Sequence, residues 1–293
     1  MSEVGTSWLF GFVVFTLIPM VYSLYASFTK WDGISAPQFN GVRKYIKMFM
    51  QDVRFWGSVV NTLYYTIVSV PLNIVIALFL AILLNKRLKG TNVFRGIIYA
   101  PSVLAGVAVY MGWTYLYGND TGMINYLLYK VFHIVGPMWL QDSNWVMPSL
   151  IIMKIFTCGS VMLIILAGLQ DVPSVYYEAA GLDGASTVKV FENITLPMIS
   201  PVIFYVLIMQ MISALQIFTQ PFIMTQGGPM FSTYTFGLHL YNQAFRYYDF
   251  GYSCALACIL FEMIMGISMA IFKTSSLWVF YREDVDSWEL EKK

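Results

Sequence analysis

Long apolar runs separated by short polar ones set the rhythm of this chain. Six runs, at roughly 8–28, 56–84, 94–117, 146–169, 199–224 and 251–273, each come close to or exceed the about 20 apolar residues with which a helix crosses ~30 Å of hydrocarbon at ~1.5 Å per residue. The pattern predicts an all-α polytopic membrane protein of six transmembrane helices, one domain over residues 1–293. The second run is long enough to tilt or to project beyond the bilayer. Pro19, Pro71, Pro101, Pro201 and Pro221 fall inside runs, where neighbouring helices can satisfy the carbonyls that proline frees. The first run starts at Trp8 without a basic leader and is too long for a signal-peptide core, so it is expected to stay as a membrane helix.

The polar interruptions differ in character. Residues 40–55 read as a short amphipathic helix, with Val42, Tyr45, Ile46 and Phe49 on one side and Arg43, Lys44 and Lys47 on the other, a pattern suited to lying in the membrane interface. Trp31, Trp56, Trp139 and Trp145 fall near the same boundary, where aromatic belts form. The segment between the fourth and fifth runs is the most elaborate. Pro173 and Ser174 predict a helix start, with the serine hydroxyl as N-cap, and the helix presents Tyr177, Glu178, Ala179 and Ala180. Gly181 is the expected left-handed C-cap. Asp183 is the expected N-cap of a second short helix, whose first turn holds the small residues Gly184 and Ala185. Phe191, Ile194 and Leu196 lead back toward the membrane and Pro197 marks the fifth run. A capped, two-helix elbow of this kind moves as a unit, which a flexible linker cannot do.

Composition supports a membrane setting. Of 293 residues, 58% are hydrophobic and 11% charged, against about 25% charged in soluble domains, and mean hydropathy is +0.65. The net charge of +1 provides no broad basic face for nucleic acid. Cys158, Cys254 and Cys258 lie in apolar runs and read as small core hydrophobes. His133 and His239 stand in no metal-ligand spacing, and no phosphate-cradling glycine loop is present. No metal, bound cofactor or catalytic residue is therefore expected, and any ATP chemistry must come from another subunit.

Basic residues orient the chain. With both termini cytoplasmic, the inner segments carry Lys86, Arg87, Lys89, Arg95, Lys189, Lys273, Arg282, Lys292 and Lys293. The outer ones carry Lys30, Arg43, Lys44, Lys47, Arg54, Lys130 and Arg246. The margin is small because 29–55 alone is rich in cations.

The string Glu178-Ala179-Ala180, then Asp183-Gly184-Ala185, then an apolar run ending Ile194-Thr195-Leu196-Pro197 resembles the EAA loop of ABC-importer permeases. The resemblance to MalF-like (UgpA-like) sugar permeases of bacterial Type I importers extends over nearly the whole chain. Asn61-Thr62 and Asn85 bounding the second run carry it, as do Leu166–Pro173 before the loop and Thr225-Gln226-Gly227-Gly228-Pro229 after the fifth run. Tyr241, Ala244, Phe245, Gly251 and Tyr252 continue the pattern, and Trp113–Asn125 with Gly122 favours the MalF-like over the MalG-like subunit. The family often has Trp at the position of Val188 and basic residues near Thr187 and Val190, so detailed docking contacts differ here. The large extracytoplasmic insertion of the maltose subunit is absent. The resemblance implies a transporter subunit of the bacterial inner membrane. It would pair with a second, MalG-like permease and receive sugar from an extracytoplasmic solute-binding protein. Two ATPase subunits would bind ATP and Mg and dock on the 174–197 loop, with Glu178 meeting a basic side chain in the ATPase cleft.

Candidate pathway residues follow from polarity inside the runs. Lys154 and Glu262 are ionisable groups within spans. Lys154 either snorkels toward the interface or faces the pathway, where it would meet an anionic sugar such as a uronate; Glu262 either pairs with it or joins helices. Gln210, Ser213, Gln216, Thr219 and Gln220 form a loose polar stripe on the fifth run, suited either to interhelical bonding or to sugar hydroxyls. Asn61 and Tyr64 are weaker candidates. The competing readings are the same importer with another solute such as glycerol phosphate, a secondary transporter, and a membrane enzyme. The last two lack the buried carboxylates or the clustered catalytic groups they need.

Overall fold

The computed structural model describes residues 8–86, 90–119 and 122–280. The orientation residues Arg87, Lys89, Arg282, Lys292 and Lys293 lie outside the described residues. Helix α1 spans Trp8–Ser27 with a π-turn at Val13–Leu17. A two-stranded antiparallel ribbon follows, β1 (Thr29–Lys30) with β2 (Gln38–Phe39). Then come α2 (Arg43–Met50), α3 (Val53–Asn85), α4 (Thr91–Val103), α5 (Gly106–Leu116), α6 (Met123–Phe132), α7 (Val146–Phe156) and α8 (Gly159–Gln170). Helix α9 (Ser174–Leu182) precedes α10, which opens at Thr187–Val190, loosens into a π-turn at Phe191–Thr195 and continues as Leu196–Leu215. Helices α11 (Thr219–Met224), α12 (Phe236–Tyr241) and α13 (Phe250–Ser275) complete the fold.

Among the described residues, four helices are long and apolar enough to cross a membrane, and up to six spans result if each of two bent pairs counts as one. Helix α3 runs unbroken for 33 residues through Pro71 and is the central post, flanked by α7, α8 and α10. Its start is fixed by Asp52, whose carboxylate accepts the Arg54 and Phe55 amides. Helix α1 lies along α13 and leaves most of its apolar side chains exposed, Phe15 at 79%, as a surface solvated by lipid can.

The other spans are interrupted. The run 94–117 is two helices, α4 and α5, meeting at 98° around Leu104 and Ala105. The run 146–169 is α7 and α8, bent by 45° at Thr157 and Cys158. The fifth run breaks at Gln216–Phe218, between α10 and α11. Gly159, opening α8, lets that helix cross α4 closely: a Cβ there would stand 2.3 Å from the Ile98 carbonyl oxygen. Small residues at such crossings bring membrane helices into contact.

The helix at 43–50 is turned differently from its sequence pattern. Val42, Ile46 and Phe49 face outward, whereas Lys44 and Met48 are buried. Lys44 Nζ donates to Asp249, the N-cap of α13, and that ion pair draws Lys44 inward while Arg43 and Lys47 stay exposed.

Candidate functional site

Two regions gather the residues singled out in the sequence. The first is the elbow between α8 and α10. Pro173, extended at ψ 135°, holds the cap position of α9, and Ser174 is its first helical residue rather than its N-cap. Gly181 is helical and is not the C-cap. The left-handed residue is Gly184 at φ +69°, and the helix closes by Ala185 N–H donating to Ala180 O at 3.0 Å and Gly184 N–H to Gly181 O at 3.2 Å. That paired closure requires the left-handed residue one position beyond the cap, here Asp183. Asp183 therefore ends the first helix instead of starting the second. The second is capped by Ser186, whose hydroxyl accepts the Lys189 amide. The Tyr177 and Thr195 hydroxyls lie 3.2 Å apart and tie the two arms together.

Ala180 is the buried anchor of the elbow, while Glu178, Ala179, Asp183, Gly184 and Ala185 are exposed. Leu182 is 91% exposed, and Val175 and Val188 also stand clear. The capped segment thus presents apolar side chains openly among polar ones, a composition suited to a contact surface. At its root, a cavity of about 530 Å³ is bordered by Lys86 and Arg95, with Ser174 and Tyr177 on the elbow side.

The second region is a cleft where the three interrupted spans meet. Two adjoining cavities of about 190 and 220 Å³ share Tyr110, Lys154 and Gln220. Ser213, Gln216 and Thr219 line the first, and Ser102, Thr157 and Ser160 the second. Lys154, Ser213, Gln216, Thr219 and Gln220 are thus brought together. Gln220 is largely committed to structure: its Nε2 donates to Leu150 O at 2.8 Å, and its Oε1 accepts from Tyr65 OH at 3.0 Å. Asn61, Tyr64 and Gln210 are not among the lining residues. Asn61 Nδ2 donates to the Phe231 and Tyr234 carbonyls, fixing the loop before α12. Tyr64 is about half exposed on α3, and Gln210 has a buried carbonyl oxygen without a hydrogen-bond partner. Glu262 is exposed on α13 and does not pair with Lys154. Tyr65, Tyr110, Thr157 and Ser160 were not foreseen, because an unbroken 3.6-residue period does not reveal which side chains flank a break.

At the far end of α3 from the elbow lies a clasp that sequence reasoning also missed. Asp52 accepts from Tyr252 OH at 2.6 Å, and its other close partner is His239 Nε2 at 3.0 Å. The second ring nitrogen of His239 sits 3.2 Å from Tyr234 OH. Burial pushes the Asp52 carboxyl up, but the Tyr252 hydrogen bond, the neighbouring His239 ring and two backbone amides outweigh it and leave it below its usual range. Burial dominates at His239 and holds it below the usual histidine value against the pull of Asp52. Among the described residues, no three His, Cys, Asp or Glu side chains are grouped to hold a metal ion.

The signature of the binding-protein-dependent transport system inner membrane component family matches residues 46–275. The probable ABC transporter permease protein YesP of Bacillus subtilis (strain 168) is 42% identical over 274 residues, 92% of this chain and 88% of its own length. The trehalose/maltose transport system permease protein MalF of Thermococcus litoralis is 31% identical over 267 residues, 89% and 88% of the two chains. A chain of a bacterial alginate ABC transporter, solved in complex with an alginate pentasaccharide-bound periplasmic protein, matches with a TM-score of 0.81 at 20% identity over 93% of this chain and 92% of that one, a likeness of fold.

Proposed function

The chain belongs to the binding-protein-dependent transport system inner membrane component family, and from that premise we propose that it drives sugar or oligosaccharide import by converting movement of the 174–197 elbow into opening of the Lys154 cleft. As a permease of this family it is a membrane-embedded transporter subunit and not an enzyme.

One observation carries the coupling reading: both arms of the elbow are continuous with walls of the cleft. Upstream, α8 leads from Gln170 back to the break at Thr157, three residues beyond Lys154. Downstream, the helical run beginning at Thr187 extends without interruption to Leu215, immediately before Gln216, a lever of about 42 Å at ~1.5 Å per residue. A displacement of Gly184 relative to the bundle reaches both breaks through stiff helices. Two ATPase subunits, closing on ATP and Mg, would draw this elbow toward its counterpart on a second, MalG-like permease. Glu178 would seat against a cation in the ATPase cleft. Such closure shifts the population between two pathway states only to the extent that docking differs between them.

The sugar reading is supported by the hydroxyl and amide lining of the cleft, the chemistry that matches sugar hydroxyls, and by the trehalose/maltose relative. An extracytoplasmic binding protein would deliver cargo to the clasp end of the bundle, with the elbow and both termini in the cytoplasm. The test is to purify the tagged chain from its native membranes. Co-purification of an ATPase and a second permease is the expected result. A chain that emerges alone in mild detergent would reopen the secondary-transporter alternative.

A further inference from the structure

Three spans of this bundle are broken at one place, and the side chain they surround is a lysine. Lys154 borders both cavities of the cleft, about 12 Å along α7 from its first residue at ~1.5 Å per residue. The α4–α5 bend approaches it from one side through Ser102 and Tyr110, and the α10–α11 break from the other through Gln216 and Thr219. Its own helix breaks three residues later, and the Lys154 carbonyl, released there, accepts from Asn73 Nδ2 and Thr157 Oγ1, both at 2.9 Å. Backbone held open at membrane depth is tolerated where it lines a cavity, and interrupted helices build substrate sites in transporters.

The charge count in this cleft does not balance. Among the described residues, Lys154 is the one ionisable cation that lines the cleft, and no aspartate or glutamate lines either cavity. The ion pair among the described residues is Lys44 with Asp249, and the carboxylate of Asp52 meets the neutral His239 ring, both at the clasp end. Glu262, the natural intramembrane counter-charge in the sequence, faces outward on α13. A cation kept within a bundle without a carboxylate is costly unless something brings the opposite charge. The remaining lining groups, Ser213, Gln216, Thr219 and Tyr110, are neutral hydrogen-bonding groups suited to hydroxyls.

We infer that the cargo is an acidic saccharide, a sugar or short oligosaccharide bearing a ring carboxylate, and that Lys154 is the residue that selects its charge. This inference rests on the sugar-permease reading and narrows it to one substrate class. The relatives do not decide the matter, since one is named for trehalose and maltose and another for alginate. During passage the carboxylate exchanges water for the ammonium group, while sugar hydroxyls take up the amides and hydroxyls on the facing walls.

The experiment uses the complete importer with its binding protein in proteoliposomes, offered paired pools of oligosaccharides. Partial hydrolysates of pectin, alginate and glucuronoxylan are each presented before and after reduction of their carboxyl groups, beside neutral starch and mannan hydrolysates. The inference expects ATP-dependent uptake of at least one acidic pool, with its reduced twin entering about tenfold more slowly or worse. Lys154→Gln is expected to raise the half-saturating concentration of the acidic cargo about tenfold, as loss of a charge-assisted hydrogen bond does, and Lys154→Arg to restore most of it. Uptake of reduced or neutral pools as readily as acidic ones overturns the inference and leaves the sugar permease standing. Loss of complex assembly in Lys154→Gln also overturns it, because the counter-charge would then belong to the second permease. Absence of uptake from every pool, with ATPase present, would remove the sugar reading itself.

Discussion

At the clasp end of α3, Asp52, His239, Tyr252 and Tyr234 bond to one another, and Lys44 closes on Asp249. At the elbow end, Glu178, Asp183 and Lys189 are exposed and enter no ion pair among the described residues, and Leu182 and Val188 stand in the open. The backbone of the elbow is nevertheless fully capped, by the Gly184 closure and by Ser186. The contrast separates two uses of polarity in one bundle. The clasp satisfies its polar groups internally and holds helix ends in register. The elbow fixes its backbone and leaves its side chains exposed, where the proposed ATPase would meet them. Substitutions at the clasp should therefore be read in stability, and substitutions at the elbow in coupling.

The largest expected effect is at the elbow. Glu178→Lys places a cation where the proposed ATPase cleft presents another, and like charges across an interface are strongly unfavourable. ATP-driven uptake by the reconstituted importer should fall about 100-fold or more while the unfolding temperature of the chain stays near wild type. Uptake within a few-fold of wild type would erase the distinction between the two ends. Next comes Asp52→Ala, which removes the α3 N-cap and the two side-chain bonds to His239 and Tyr252. A loss of about 3 kcal/mol in stability is expected, visible as a lower melting temperature in lipid nanodiscs. Gly184→Ala sharpens the comparison from the other side. No atom lies within 4 Å of the added Cβ, so the cost of about 1 kcal/mol arises from the left-handed backbone alone. It should appear as weakened association with the ATPase rather than as global unfolding. The smallest effect concerns pH. His239 is held neutral by burial, its proton affinity lowered on folding. Below the usual histidine value of 6.5 the unfolded chain takes up a proton that the folded chain refuses, so stability declines as the medium acidifies. The Asp52 contribution, from a lowered carboxyl, persists to much lower pH. His239→Gln should flatten the melting-temperature profile between pH 7 and pH 5.5; an unchanged slope would place the acid sensitivity elsewhere.

The all-helical membrane character was legible in apolar run length alone, because hydrocarbon thickness fixes how many residues a span requires. The existence of the elbow was legible too, since proline, glycine and small residues punctuate 173–185. Its caps were displaced by a few residues. In sequence Gly181 reads as the terminator and Gly184 as part of the next helix, and only the closing bonds to Ala180 and Gly181 give Gly184 the left-handed position. The breaks at Leu104, Thr157 and Ile217 were not legible, because none lies at a proline and the apolar run resumes on both sides of each. The inward face of α2 was misjudged for a related reason: Lys44 is buried by a partner more than 200 residues away, beyond the reach of any local periodicity. The clasp has the same origin, with Asp52 and His239 separated by 187 positions.

Glu178 is the point at which the elbow is proposed to meet an ATPase. A single cysteine at position 178, in a chain whose three native cysteines are replaced by alanine, would be treated with a short thiol-to-amine cross-linker in native membranes, with and without ATP. The predicted result is one cross-linked product containing this chain and an ATPase subunit, with a yield that changes with ATP. A cysteine placed at Asn61, at the clasp end, should give none. A product at 178 that contains no ATPase, or no product in a preparation that transports normally, would contradict the claim that this elbow is the ATPase dock.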